Sequence, residues 1–531
     1  MTRRRKHWGW GFEHEQPPPD EVRATATFLA SHLGFGSTEP EAPVALEELA
    51  LPPARLVAPS RLAQICSAED YERAFHAYGS SYRDVVRAFR GQFDHPPDVV
   101  AHPADEGELE AVLEWALSAN AAIIPFGGGT SVVGGVEPAV DPQRFDGVVT
   151  IDLGRLDRVL EVEPESLSAR IQAGATGPRL EEQLRGHELT LRHFPQSFQF
   201  ATLGGMIATR AGGHFATVYT HIDDLVQSAR AITPIGVWES RRLPGSGAGI
   251  SPDRMLIGSE GTLGLITEAW VRVRPRPRFR ASAGVRFATF QAGAAAVRAL
   301  SQSGLFPANC RLIDPAEARL TGAITDPDPP HQALLVLGFE SAAVAVAPRL
   351  DEALACCADH GGTWDERREG GSDGAVDSWR DAFLRVPYLR DTLVAMGVIS
   401  ETFETAVTWD RFAALHRTVT ERTTAAIAEV CGTGAVTCRF THVYPDGPAP
   451  YYTVLAPGRR GEELEQWAHI KAAAADAIIE GGGTITHHHA VGRDHRPWYD
   501  RQRPEPFATA LRGAKAAVDP SGALNPGVLV D

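Results

Sequence analysis

The chain has 531 residues, 43% of them hydrophobic and 22% charged, and a formal net charge of -16. This is the composition of a soluble globular enzyme, too long for one core, so about two to four domains are expected. The negative balance excludes nonspecific attraction to nucleic acid but leaves room for a local basic pocket. Six scattered cysteines, Cys66, Cys310, Cys356, Cys357, Cys431 and Cys438, include no Cys-x-x-Cys pair. They read as reduced thiols packed as small apolar groups, not as a zinc ribbon or a disulfide framework.

The start, Thr2-Arg3-Arg4-Arg5-Lys6, precedes no long apolar run and reads as a solvated tail, with contact to anionic lipid as the alternative. Trp8 and Trp10 alternate with glycines, prolines break the chain at 17–19, and helical patterns near 20–35 and 68–90 make residues 1–92 an N-terminal helical segment.

From about residue 93 to 275 the texture changes. Helical periodicity over 106–119 precedes the apolar run Ala121-Ala122-Ile123-Ile124, which reads as a buried strand. That strand opens into Pro125-Phe126-Gly127-Gly128-Gly129-Thr130-Ser131. Glycines let a backbone approach a ligand closely, and successive N–H groups form a nest for a pyrophosphate. Alternating stretches at 148–152 and 160–162 predict strands, and 178–187 predicts a helix. The segment 203–213 is rich in glycine and alanine, as suits backbone packed on a cofactor. A second glycine loop runs Gly258-Ser259-Glu260-Gly261-Thr262-Leu263-Gly264, and 270–275 is an alternating strand closed by proline. Two such loops suggest a dinucleotide held from two sides.

Residues 276–485 alternate strands and helices again, for example a strand at 333–337 and a helix at 462–480, and predict an α+β domain that shapes a substrate pocket. The stretch 370–374 reads as a loop. Residues 486–531 end in turn chemistry, expected to pack back on the first domain.

Neither glycine loop carries the Gly-x-Gly-x-x-Gly fingerprint of a Rossmann unit. Both resemble the flavin-binding domain of the vanillyl-alcohol-oxidase superfamily. Phe403-Glu404-Thr405, Trp409-Asp410-Arg411 and the three histidines before Ala490-Val491-Gly492 are similar to the alkyldihydroxyacetonephosphate synthase family, and the likeness runs from about residue 7 to 531. The fold this implies is α+β: a two-subdomain PCMH-type FAD-binding domain, an α+β cap domain and the N-terminal helical segment. The resemblance implies noncovalent FAD, held by 125–131 and by Glu260 to Gly264 with Leu265 and Ile266. Gln196, Ser197, Phe198, Gln199, Phe200, Ala201 and Thr202 would line the flavin, with Thr209, Arg210, Ala211 and Gly212.

The family reaction exchanges the acyl group of acyl-dihydroxyacetone phosphate for a long-chain alcohol through a flavin N5 adduct, with no net redox change. Matching positions assign Arg311 and Arg390 to the substrate phosphate or developing charge, Tyr452 to proton transfer, and His487, His488 and His489 to base chemistry. His193 matches an active-site position or is a structural histidine. The register leaves Tyr451 open as the tyrosine. On a strand His487 and His489 would share a face. Gln196, Phe194 and Ala490 depart from the family pattern and put the substrate in doubt.

The rival is a D-2-hydroxy-acid dehydrogenase of the same superfamily. Its metal ligands would begin at His442, but the second histidine is missing and the glutamate position reads His488. A metal at the histidines, with His495 as an extra ligand, is the alternative chemistry there. A noncatalytic flavoprotein is the third reading. The resemblance implies a homodimer. A cytoplasmic setting is the default expectation, with peripheral membrane contact prompted by greasy substrates.

Overall fold

The computed structural model describes residues 4–215, 217, 220–320, 332–365, 367–370 and 387–531. Three sheets of four, five and seven strands organise it, with a short two-stranded pair besides.

The four-stranded sheet runs Cys66–Ser67, Val99–Ala101, Gly147–Asp152, Ala121–Phe126, the last three mutually parallel. Ala121 to Ile124 are buried, as a parallel strand covered on both faces must be. The helix Glu106–Ser118 feeds this strand, capped by Asp105, whose carboxylate accepts the Glu108 amide at 2.9 Å. The C-terminal tail closes the same strand. The Ile123 amide donates to the Ala523 carbonyl at 2.8 Å, and Lys515 donates to the carbonyls of Thr262 and Leu524 at 2.8 and 2.6 Å.

The five-stranded antiparallel sheet has the order Val159–Glu163, Ser168–Gln172, Leu265–Arg272, Val226–Thr233, Gly236–Glu239. Ile232 and Leu265 carry its core into that of the first sheet.

The seven-stranded antiparallel sheet runs Arg367–Glu369, Phe279–Phe287, Ala333–Ser341, Asn309–Ile313, Ala435–Val443, Pro448–Pro457, Val398–Glu404. Helices Phe290–Gln302, Ala347–Ala358, Trp409–Cys431 and Glu463–Glu480 bury one of its faces in the largest core cluster. Its other face carries polar residues toward the glycine loops.

The N-terminal segment departs from expectation in three ways. It is not an appendage: Tyr82, Val85, Val86 and Phe89 belong to the core of the seven-stranded sheet. The helix expected over 68–90 is two, Asp70–Phe75 and Tyr82–Phe89, because Ser81 caps the second by accepting the Asp84 amide at 3.0 Å. The basic start is not all solvated: Lys6 is buried and Arg5 half-buried, and desolvation brings the Arg5 guanidinium down to about 10. Of the loop expected at 370–374, all beyond Gly370 lies outside the described residues. Among the described residues no helix is long and apolar enough to cross a membrane, and all six cysteines are free thiols.

Candidate active site

A cavity of about 250 Å³ separates the first glycine loop from the polar face of the seven-stranded sheet. One wall is backbone: residues 127–131, Pro195, Gln196, Ser197, Ala201, Thr202, Thr209, Ala211 and Gly212. Gly128 must be glycine, because a Cβ there would stand 1.8 Å from the Phe200 carbonyl oxygen. Among the described residues the amides of 127–131 donate to no protein acceptor. Successive unfilled N–H donors on a concave wall suit a pyrophosphate. They fit FAD.

Other residues expected at the cofactor stand behind this wall. Phe126 is core, and Phe200 supports Arg5, whose guanidinium lies 3.7 Å from the ring centroid. Phe198 packs on Phe194. Arg210 turns outward and pairs with Asp223 at 2.8 Å. The second loop does not line this cavity. Gly261 packs on Pro125, Leu263 is core, and the buried Glu260 carboxylate accepts the Val491 and Gly492 amides at 2.9 and 2.8 Å. Burial, only partly offset by those two bonds, pushes Glu260 up to about 7. The loop braces the first glycine loop and the histidine segment together.

The opposite wall follows from strand alternation. Ser400 and Thr402, Arg439 and Thr441, and Tyr451 and Thr453 all line the cavity, as does Arg311. Their odd and even partners, Phe403, Cys438, Phe440, Tyr452 and Val454, face the helices. A register shift between Phe440 and His442 is a bulge that lets Thr441 and His442 both reach the cavity.

This alternation corrects the expectation at Tyr452. Its ring stacks on Phe403 with centroids 5.0 Å apart, and its hydroxyl meets His416 Nδ1 at 3.2 Å in the core. Tyr451 is the tyrosine that faces the cavity, beneath Arg439 at 4.0 Å. Burial pushes the Tyr451 phenol up and Arg439 draws it back, so it stays protonated at neutral pH.

Arg311 is 1% exposed and donates to the His214 carbonyl at 3.0 Å. Burial and the nearby Arg439 lower it to about 9. Arg390 lines the same cavity and is lowered by burial. Arg439 is ion-paired to Glu317, which also accepts the Thr437 hydroxyl at 3.1 Å.

The histidines are not on a strand. They follow helix Glu463–Glu480 in a loop wrapped around the buried Glu404 carboxylate. That carboxylate accepts the amides of His487, His488 and His489 at 2.5, 3.1 and 2.9 Å, and the Thr486 hydroxyl at 2.6 Å. His488 and His489 line the cavity; His487 sits behind, with Nδ1 2.9 Å from His488 Nδ1 and Nε2 2.7 Å from the Tyr444 hydroxyl. Burial, reinforced by neighbouring imidazoles, holds His487 and His488 well below the usual range, so both are neutral at pH 7.

His193 does not reach the cavity. It lies under Gly213, whose added Cβ would stand 2.8 Å from its Nδ1, and burial lowers it to about 3. His442, His487 and His488 each bring one ring nitrogen within 4.8 Å of the others, the one such grouping among the described residues. Their nitrogens already make hydrogen bonds, His442 Nε2 to the Gly213 carbonyl at 2.8 Å. His495 is outside the group, bonded to the Ala490 carbonyl at 2.9 Å.

Sequence reasoning missed Arg439, Thr441, Thr402, Thr453 and Trp10 as cavity residues, and Glu404 as the anchor of the histidines. The alternating polar positions 439 and 441, 451 and 453, were the available signal.

The chain matches two family models: an FAD binding domain over residues 97–240, and the C-terminal domain of FAD linked oxidases over 276–529. It is 30% identical to the alkyldihydroxyacetonephosphate synthase of Trypanosoma brucei brucei, over 87% of this chain and 77% of that protein. The synthase of Dictyostelium discoideum is also 30% identical, over 86% and 77%. A glycolate oxidase subunit of Bacillus subtilis is 25% identical over 82% of this chain and 89% of its own. A solved alkyldihydroxyacetonephosphate synthase superposes with a TM-score of 0.81 at 26% identity, covering 98% of both chains. A binding wall suited to FAD, matched FAD-domain models and relatives at this identity and coverage agree: the chain belongs to the alkyldihydroxyacetonephosphate synthase family of FAD-dependent enzymes.

Proposed function

We propose that this enzyme exchanges the acyl group of an acyl-dihydroxyacetone phosphate for a long-chain alcohol, giving an alkyl ether and a free fatty acid. The observation that carries this reading is the wall opposite the amide-rich loop. There Arg311 and Arg390 converge with a protonated phenol and a neutral imidazole in one buried cavity.

The buried Arg311 and the half-buried Arg390 suit a phosphate dianion, whose charge repays their desolvation. When bound, FAD would supply a ring system able to take up and return electrons, so that the exchange has no net redox change. His488, neutral and facing the cavity, accepts the proton that leaves the ester-bearing carbon and returns it to that carbon once the ether bond has formed; a bound dianion nearby raises its basicity. Tyr451 donates a proton to the departing carboxylate and takes one from the incoming alcohol. His487 holds His488 in orientation, and His489 flanks it. Apolar substrates support peripheral membrane contact, and the family resemblance supports a homodimer. Residues 1–92, 93–275, 276–485 and 486–531 remain our proposed division of the chain.

The test uses purified protein with its flavin, under anaerobic conditions, with palmitoyl-dihydroxyacetone phosphate and isotope-labelled hexadecanol. Mass spectrometry should find labelled ether and palmitate while the flavin stays oxidised. No ether, together with flavin bleaching by α-hydroxy acids, would replace this reading with that of a hydroxy-acid dehydrogenase.

A further inference from the structure

The Trp8-Gly9-Trp10-Gly11 motif is not explained by the flavin fold, yet it reaches the cavity. Residues 5–12 form a closed hairpin: Arg5 bridges Phe12, the Lys6 amide donates to the Gly11 carbonyl at 3.2 Å, and the Glu13 amide donates to the Arg4 carbonyl at 2.9 Å. Trp10, 3% exposed, lines the cavity itself.

The hairpin joins three segments of the site. Arg5 donates to the Gly128 carbonyl at 2.6 Å, in the loop that fits the pyrophosphate. The Trp10 indole donates to Gln199 Oε1 at 3.2 Å, and that oxygen also accepts the Tyr388 hydroxyl at 2.8 Å. Lys6 donates to Asp391 Oδ2 at 3.1 Å, and the Trp10 amide reaches both Asp391 oxygens, at 3.2 and 3.0 Å. Gly9 lies so close that a Cβ would stand 2.5 Å from Asp391 Oδ2. Asp391 directly follows Arg390 in the helix over 387–395.

A buried lysine–aspartate pair is a poor source of stability, since desolvating both ions cancels most of their attraction. What it supplies is geometry. We infer that this hairpin is part of the substrate site: Trp10 is a wall against the bound phosphoketone, and Lys6 positions Arg390 by holding Asp391. The inference rests on the reading that Arg390 takes the substrate phosphate. It makes Lys6 and Trp10 determinants of substrate affinity, while Arg5 braces the pyrophosphate loop.

The test compares Lys6→Met, Lys6→Arg, Trp10→Ala and Trp10→Phe with the parent holoenzyme. Flavin content is read by absorbance, dihydroxyacetone phosphate binding by the flavin difference spectrum, and kcat and KM by ether formation. Lys6→Met and Trp10→Ala should keep flavin, weaken dihydroxyacetone phosphate binding and raise KM by about 10-fold or more, with kcat changed by less than about 3-fold. Lys6→Arg and Trp10→Phe should recover most of the loss. Unchanged binding and KM in both truncations would overturn the inference. So would loss of flavin in step with substrate binding, which would make the hairpin a stability element. A parent enzyme that neither binds dihydroxyacetone phosphate nor forms ether would refute the proposed substrate instead.

Discussion

Replacing Glu404 by glutamine isolates the group that shapes the histidine loop. The carboxylate is fully buried and accepts four hydrogen bonds from consecutive residues, 486 to 489. Burial pushes its carboxyl up, but the imidazoles of His489 and His487, the Thr486 hydroxyl and the His488 amide outweigh burial and hold it down to about 2. The imidazoles of His487 and His488 are neutral at pH 7, so the amide and hydroxyl donors carry the lasting part. Hydrogen bonds to a buried carboxylate contribute about 1.5–3 kcal/mol each, and Glu404 accepts four. Glutamine keeps the shape but turns a donor toward donors. Glu404→Gln should therefore cost about 3 kcal/mol in urea unfolding at pH 7 and lower kcat by disordering His488. The pH dependence has a fixed sign. The folded pKa lies below the unfolded one, so the contribution is complete above about 4.5 and fades as pH falls toward about 2. The parent should lose this stability across that window and the variant should not. A variant within about 0.5 kcal/mol of the parent at pH 7, with full activity, would refute the argument.

Tyr451→Phe should lower ether formation by about 100-fold or more, whereas Tyr452→Phe should cost about 1 kcal/mol of stability and leave turnover within about 2-fold. The reverse ranking in the ether assay would restore Tyr452. Glu317→Gln leaves Arg439 buried without its carboxylate and should destabilise by about 3 kcal/mol; adding Arg439→Met should recover part of this in chemical denaturation, while raising KM through the lost cavity wall. His193, lowered to about 3 chiefly by burial, contributes stability that is complete above pH 6.5 and lost as pH falls toward about 3. His193→Gln should flatten that slope in pH-dependent unfolding, and an unchanged slope would contradict its burial as a neutral ring.

The sequence by itself determined the first glycine loop; the second, read as holding the dinucleotide from its other side, does not line the cavity. A strand of Ala121 to Ile124 running into three glycines has few uses, because only glycine permits the approach that Gly128 makes to Phe200. Arg311, Arg390 and the histidines were legible through the family resemblance. Tertiary structure alone decided which side chains share the cavity. Tyr451 and Tyr452 have the same local neighbourhood, and only strand pairing with Glu404 and Phe403 shows which one turns inward. Glu404 sits 83 residues before His487, and Lys6 sits 385 before Asp391, so no local pattern could join either pair. The basic N-terminus looked solvated because charge is read one residue at a time. Folding buried Lys6 and half-buried Arg5 by supplying a carboxylate and a carbonyl from the distant chain.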